Sequence, residues 1–347
     1  MRFFILFLGL VLPACAATEA PVKVKVVVVS MFEIGADTGD TPGEFQLWVE
    51  HEKLDRVIPL PQAYHDVRAN ADGSVIGIVT GMGNIRSSAS IMALGLDPRF
   101  DFSQAYWLVA GIAGIDPADG TVGSAVWAEW LVDGDLGYEI DAREMPADWS
   151  TGYLPYGRHK PYEQPRKDEK LGEVYHLDSG LVEWAYQLTK DTPLADNPEM
   201  AKRRAQYAGF PNAQKPPFVL KGDNLAGSTF WHGKLLNQWA NDWVRYHTEG
   251  RGNYVTTAME ETGTLQSLTW LARAGKVDLR RALVLRTASN FDMQWPGGTA
   301  IESLAGEQHG MYGGFMPSVV AAHQVGSQVV HALVKGWDRY ATELPKP

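Results

Sequence analysis

Apolar segments with strand-like spacing alternate along the chain with segments of helix-like spacing. Apolar runs typical of strands buried on both faces occupy residues 22–29, 75–80, 106–110, 218–220 and 282–285. Three- and four-residue spacing of apolar side chains predicts helices over residues 85–96, 177–190, 199–207, 235–247 and 318–340. Residues 122–132 fit one longer strand or one arm of a hairpin. The alternation predicts an α/β fold, a three-layer sandwich with a mixed, mostly parallel central sheet between helices.

The stretch from Tyr254 to Asp292 predicts a strand, a helix and a second strand in succession. The first strand runs into a helix that begins near Glu260 and ends near Gly275, and the second strand is followed by a cluster of polar residues. Ligands of α/β proteins bind at the carboxyl ends of strands. We therefore expect Glu260 and Asn290 to face one crevice, although they are thirty positions apart.

Two glycine-rich segments follow predicted strands and offer close approach to the backbone. Gly81 and Gly83 follow residues 75–80, and Gly111 opens the segment Gly111-Ile112-Ala113-Gly114 that we expect to end the strand over residues 106–110. Without a side chain, such positions let a ligand reach the main chain. The simpler reading is a tight connection between a strand and a helix.

Several short motifs, taken in order, resemble the purine nucleoside permease family, which is related to the nucleoside phosphorylases and nucleosidases. The resemblance covers nearly the whole chain after the N-terminal segment. It rests on Met259-Glu260, on Arg286-Thr287-Ala288-Ser289-Asn290, and on Met31-Phe32-Glu33, Thr80-Gly81-Met82-Gly83, Ala110-Gly111-Ile112-Ala113-Gly114, Asp141-Ala142-Arg143-Glu144-Met145-Pro146 and Thr151-Gly152-Tyr153. It implies a nucleoside phosphorylase-like sheet and a purine nucleoside as the ligand.

The resemblance also implies where ribose is held. Met259 and Glu260 match the pair that binds the ribose hydroxyls, and a carboxylate accepts strong charged hydrogen bonds from such hydroxyls. The alternative for Glu260 is a helix N-terminal acid that only complements the helix dipole. For Glu261 we expect that second, solvated role.

The purine base is assigned to two segments by the same resemblance. Asp223, followed by Phe230 and Trp231, matches the segment that stacks on the base, and the choice between the two aromatic residues stays open. Asn290 matches the position that meets the purine, where the family often carries Asp. An amide hydrogen-bonds but does not act as an acid, so Asp292 is an alternative for the acid role, and a simple turn is an alternative for Asn290.

Cleavage of a nucleoside also requires a nucleophile. Glu33 matches the acid near the nucleophile in the hydrolases, and Glu44 is its rival because the intervening loop lets the alignment slide. Many phosphorylases carry a phosphate-binding arginine where this chain has Val109, which favours water over phosphate. The resemblance implies either a nucleosidase or a nucleoside-binding protein of an uptake system that does no chemistry.

The bulk composition limits the partners. A chain of 347 residues with 45% hydrophobic residues accommodates one large domain, expected over residues 21–347. A formal net charge of −10 argues against nucleic acid as a partner. The histidines form no His-x-x-x-His pair, and we expect neither a metal nor a cofactor. A homo-oligomer stays open.

Residues 1–20 have the pattern of a secretory signal. Arg2 precedes an apolar run that ends at Leu12 and is followed by small residues. The run is too short to span a bilayer, and no other such stretch occurs downstream. We expect an exported protein, periplasmic or extracellular. Because Leu12-Pro13-Ala14-Cys15 resembles a lipoprotein cleavage box, a lipid anchor on Cys15 is the alternative to plain cleavage.

Overall fold

The computed structural model describes residues 20–165, 174–308 and 313–347. Residues 1–19 of the expected signal over residues 1–20, with Cys15, therefore lie outside the described residues, as does the part of the chain from 166 to 173. No helix within the described ranges is long and apolar enough to cross a membrane.

The strands alternate with helices along the chain, as the apolar pattern predicts. The strands are β1 Val22–Lys23, β2 Val26–Ser30, β3 Arg56–Ile58, β4 Val67–Ala69, β5 Val75–Val79, β6 Phe100–Asp101, β7 Tyr106–Ile115, β8 Ala125–Ala128, β9 Trp130–Asp133, β10 Gly137–Glu139, β11 Tyr153–Pro155, β12 Val174–His176, β13 Val219–Lys221, β14 Asp223–Ala226, β15 Tyr254–Ala258 and β16 Ala282–Phe291. The helices are α1 Gln46–His51, α2 Asn84–Gly95, α3 Ser179–Thr189, α4 Pro198–Ala205, α5 Lys234–His247, α6 Glu261–Arg273, α7 Ala300–Gln308, α8 Phe315–Lys335 and α9 Trp337–Tyr340, with a short 3-10 turn at Leu279–Arg281.

Most strands join one mixed sheet. Its order is β12-β9-β14-β15-β7-β2-β5-β4-β3, and β16, β8 and β13 branch from β7. The pairs β2–β5, β2–β7, β7–β16, β14–β15, β9–β14 and β8–β13 are parallel, whereas β7–β15, β8–β16 and the pairs toward both edges are antiparallel. The predicted α/β sandwich with a mixed, mostly parallel central sheet is confirmed.

Strand β7 connects the two halves of the sheet, because one of its edges pairs first with β2 and then with β15. Its first half pairs with β2 from Tyr106 to Val109, and its second half pairs with β15 at Gly114 and Ile115. Its other edge is covered throughout by β16. The strands β2, β15 and β16, all neighbours of β7, therefore bring their carboxyl ends, or the residues just after them, to the same region.

Helices cover the sheet with close backbone contacts. Helix α8 packs on β7 and β16, and a side chain at its Gly326 would lie 2.8 Å from Trp48 in α1. Helices α2 and α6 pack against each other, and a side chain at Gly263 would collide with the backbone of Asn84. This second contact brings the first turn of α2 beside the first turn of α6.

Two strands are longer than the sequence predicts. The strand expected to end at Gly111 continues to Ile115, and the strand expected over residues 282–285 continues to Phe291. Each supplies the other with a hydrogen-bonding partner, since Gly111 lies opposite Arg286 and Gly114 opposite Asn290. Residues 122–132 divide into β8 and β9, and α1, α7, β3 and β4 have no counterpart in the predicted elements.

Candidate active site

A cavity opens where β2, β7, β15 and β16 end or lose their regular pairing. Its volume is about 190 Å³, whereas a single water needs only about 10–15 Å³ of such space. The cavity therefore accommodates a small organic molecule. It is lined by Met31, Phe32, Glu44, Met82, Ile112, Ala113, Gly114, Thr229, Phe230, Trp231, Thr257, Ala258, Met259, Glu260, Arg286, Ser289 and Asn290.

One end of the cavity is a buried ion cluster around Arg286. This side chain is 1% exposed and is hydrogen-bonded to Glu260 over 2.9 Å and, even more closely, to Glu261. Its third carboxylate neighbour, Glu44, lies 3.9 Å away, and its third acceptor is the carbonyl of Ile112 at 3.0 Å. A buried guanidinium requires such partners, because an unpaired charge in the interior costs several kcal/mol.

Backbone amides hold Glu44 in place. Its two carboxylate oxygens accept hydrogen bonds from the N–H of Met31, at 2.8 Å, and of Ile112, at 2.7 Å. The approach depends on Gly111, where any side chain would collide with Met31 and come within 2.5 Å of Glu44. Gly111 thus serves protein packing around the acid rather than a tight turn.

Burial changes the protonation of the cluster. Desolvation raises the pKa of Glu44 to about 8, with a further increase from Glu260, against the opposing effect of Arg286. Desolvation and the neighbouring Glu261 likewise raise the pKa of Glu260. Burial by itself would lower the pKa of Arg286, but the carboxylates around it raise this value. Glu44 is therefore an acid that exchanges its proton near neutral pH.

Glu260 is oriented by the close packing of two helix N-termini. It occupies the N-cap position of α6, and one carboxylate oxygen accepts the N–H of Gly83, at 3.1 Å, just before α2. Its other oxygen binds Arg286. Gly83 has a φ of +89°, a backbone conformation that favours glycine. The predicted backbone approach at Gly83 is therefore made by a side chain of the protein itself.

Other parts of the cavity wall are aromatic or carry an amide. Phe230 and Trp231 both border it, so the structure leaves both as stacking candidates. Asn290 lies there with Ser289, and the two are bonded through the Ser289 hydroxyl and the Asn290 oxygen at 2.8 Å. Neighbouring residues of a regular strand point to opposite faces. A β-bulge between Ala288 and Asn290 lets both line the cavity.

Three of the predicted site acids lie away from this cavity. The Glu33 carboxylate binds the backbone N–H groups of Gly43, Phe45 and Gln46, the last two at 2.8 and 2.6 Å, and so orders the start of α1. Its rival Glu44 is the acid that reaches the cavity. The course of the loop between these two acids determines which of them reaches the cavity, and the spacing of residues in the strands does not predict that course.

Asp223 and Asp292 have structural partners. Asp223 accepts the backbone N–H groups of Trp130, at 2.8 Å, and Asn253, at 2.6 Å, and burial raises its pKa to about 6. Asp292 is 1% exposed and accepts the Tyr254 hydroxyl at 2.5 Å. Neither side chain lines the cavity, so both hold neighbouring segments rather than the space where a ligand fits.

Two further assignments change. Glu261, expected to be solvated, is fully buried and paired with Arg286. Gly81 has a φ of +81°, and a side chain there would collide with Tyr64 and Arg86, so this glycine serves local packing. Arg286, which the sequence shows only as part of a family motif, lies inside β16, and a buried arginine is almost never found without partners of opposite charge.

The whole chain was compared with known proteins. A family model described as purine nucleoside permease matches residues 23–345. The chain belongs to the purine nucleoside permease family. A purine nucleoside permease of Candida albicans is 29% identical over 321 residues, 91% of this chain and 76% of that one. A probable purine nucleoside permease of Schizosaccharomyces pombe is 30% identical over 289 residues, 81% and 82% of the two chains.

Solved structures show the fold that this purine nucleoside permease family member shares. Futalosine hydrolase of Helicobacter pylori superposes with a TM-score of 0.51 at 13% identity, covering 88% of this chain and 98% of its own. A 5′-methylthioadenosine/S-adenosylhomocysteine nucleosidase of Neisseria meningitidis gives 0.50 at 12% identity, covering 89% and 99%. At this identity the likeness establishes the nucleosidase fold alone.

The raised pKa of Glu44 predicts a pH-dependent stability. Between its ordinary value of 4.5 and about 8, the unfolded chain releases a proton that the folded chain keeps. The contribution of Glu44 to the free energy of unfolding is therefore complete below this window and falls as pH rises through it, by at most about 1.4 kcal/mol per pH unit.

Urea unfolding across this window measures the slope in the unmodified protein and in Glu44→Gln, whose amide does not titrate. We expect the free energy of unfolding of the unmodified protein to fall relative to that of Glu44→Gln as pH rises. The exposed-loop control Glu144→Gln should follow the unmodified protein. Parallel curves for the unmodified protein and Glu44→Gln would contradict the assignment.

Proposed function

We propose that this protein binds purine nucleosides in the cavity and cleaves their N-glycosidic bond with water. The observation that carries the proposal is that one cavity is lined by two chemically different groups of side chains. Phe230, Trp231 and Asn290 offer ring faces and an amide, and Glu44, Glu260 and Arg286 offer charge. A nucleoside has the same division, with a flat base joined to a polyhydroxylated sugar.

Glu260 is proposed to bind the ribose hydroxyls. Its carboxylate is fixed by Gly83 and Arg286 and borders the cavity beside Met259. Departure of the base leaves positive charge on the sugar ring, as in glycoside hydrolysis. A carboxylate that is already oriented stabilises this charge without reorganisation. The binding of ribose by Glu260 therefore strengthens as the bond breaks.

Glu44 is proposed to act on the attacking water. The water oxygen bonds to C1′, the C1′–N9 bond breaks with its electron pair going to the base, and Glu44 takes the proton of the water. A pKa of about 8 keeps the proton affinity of this carboxylate near the operating pH, as general base catalysis requires. Asn290 is proposed to hydrogen-bond the departing base, whose proton comes from solvent.

A binding role without chemistry is the second candidate. It is favoured by the names of the relatives, which are purine nucleoside permeases. In that case the same cavity captures a nucleoside for a separate channel. Incubation of the purified protein with inosine and adenosine, followed by detection of free base, separates the two candidates.

We also propose that the protein is exported. The support is the N-terminal pattern around Arg2 and the small residues after Leu12. Cleavage of the signal without lipid attachment is the favoured form, and lipid on Cys15 is the alternative. Mass spectrometry of the mature N-terminus distinguishes a plain new terminus from a diacylated cysteine.

Hydrolysis predicts that phosphate takes no part in the reaction. The position at which many phosphorylases carry a phosphate-binding arginine is occupied here by Val109, which is fully buried in the core. We expect the rate of base release to be unchanged by added phosphate and the sugar product to be free ribose. Chromatography of the products checks this, and ribose 1-phosphate as the main product would refute it.

Glu260→Gln tests the ribose-binding carboxylate. The change keeps the shape and removes the charge, so we expect turnover to fall by about 2–4 kcal/mol in barrier height, the scale of one lost electrostatic group. Glu261→Gln is a matched control, because Glu261 also pairs with Arg286 but does not line the cavity. It should lower the melting temperature and reduce kcat less than Glu260→Gln does. Equal kcat losses in the two variants would favour a structural role for Glu260.

Asn290 predicts a preference for 6-oxopurines. Its amide has both a donor and an acceptor, which match the ring N–H and oxygen of inosine or guanosine. A buried unpaired group costs roughly 1–3 kcal/mol, so we expect inosine to be preferred over adenosine by about tenfold or more. Asn290→Asp should shift the ratio toward adenosine.

The control for this variant is Asp292→Asn, which disturbs the bond to Tyr254 away from the cavity. It should lower stability without moving the ratio of inosine to adenosine turnover. A ratio that stays the same in Asn290→Asp, or moves only in Asp292→Asn, would transfer base recognition to another residue.

A further inference from the structure

A second cavity lies beside the first, on the other side of the loop that carries Trp231. Its volume is about 270 Å³, and it shares Thr229 and Trp231 with the first cavity. The rest of its wall comes from the β9–β10 connection, from β10 and β11, from the end of β14 and from α5. No role proposed above uses this space.

Aromatic rings form much of the wall, grouped around Trp239. The ring centroid of Trp239 lies 4.5 Å from Tyr153, 5.6 Å from Trp243 and 6.0 Å from Trp231, with interplanar angles of 32°, 47° and 82°. Trp239 therefore packs against three other rings, and all four rings contribute to the wall. Each aromatic face carries negative electrostatic potential and attracts a cation placed over it.

The charges of the wall have a single sign. Asp135 and Glu139 line the cavity, and none of the described residues that line it is Lys, Arg or His. Asp135 is fixed by the Ser228 N–H at 3.0 Å, whereas Glu139 is exposed on β10. The indole N–H of Trp243 is already donated to a backbone carbonyl at 2.8 Å. The wall thus offers carboxylates and ring faces, a combination that disfavours anions and suits a positively charged ligand.

We propose that this second cavity binds a small organic cation, a primary or quaternary ammonium group, between Glu139 and the rings around Trp239. The site is distinct from the charged part of the first cavity, because none of Glu44, Glu260 and Arg286 lines it, and the two cavities share only Thr229 and Trp231 of their described lining. The ammonium group packs against the ring faces and its charge is balanced by the carboxylates.

Choline and its uncharged isostere 3,3-dimethyl-1-butanol are suitable probes, because they differ in charge and hardly in shape. Tryptophan fluorescence and calorimetry at constant ionic strength measure their binding to the purified protein. We expect saturable choline binding, with the neutral isostere about tenfold weaker or more. Equal binding of the two compounds, or no choline saturation at about 10 mM, would overturn the proposal.

Glu139→Gln should weaken choline binding about fivefold, and Glu144→Gln, an exposed acid outside the cavity, should not change it. Tyr153→Leu removes one ring of the wall. It serves as a second test if Asp135 alone balances the charge of choline in Glu139→Gln. Choline affinity unchanged in both variants contradicts the site. Choline binding is also measured in Glu260→Gln, where we expect it to persist. This measurement distinguishes failure of the cation site from failure of the proposed nucleoside cleavage.

Discussion

The burial of one guanidinium among three carboxylates is the interaction on which the rest of the site depends. Arg286 comes from β16, Glu44 from the segment after β2, and Glu260 and Glu261 from the start of α6. Removal of one partner of such a cluster leaves an uncompensated charge in the interior, at a cost of about 3–5 kcal/mol. The cluster therefore links three distant parts of the chain and at the same time sets the protonation of the residues that face the cavity.

This arrangement explains why the cavity wall is chemically mixed. The charged groups meet around Arg286, which donates to the Ile112 carbonyl across β7 and β16. Ser289 and Asn290 follow Arg286 along β16, and the aromatic residues come from the loop after β14. A ligand with a polar part and a flat part therefore has one favourable orientation, which is the requirement for placing a reactive bond between them.

The sequence predicts the alternation of strands and helices, the central sheet and five of the residues that line the cavity, because these follow from local spacing and from short motifs. It does not predict the partners of Glu33 and Asp223, which are backbone amides elsewhere in the chain, or the partner of Asp292, which is the Tyr254 hydroxyl. The continuation of β7 beyond Gly111 also depends on a partner, since β16 supplies its hydrogen bonds. The role of Arg286 is not predicted either, because this residue follows the predicted strand over residues 282–285 and lies inside a strand only because β16 continues to Phe291.

The order of the strands along the chain has a consequence for folding. β7 receives its last partners, β15 and β16, only after about half of the chain has followed it. Contacts this distant in sequence slow folding, since the intervening chain must first be closed into a loop. No N-terminal fragment that stops before Asn290 contains all the residues that line the cavity.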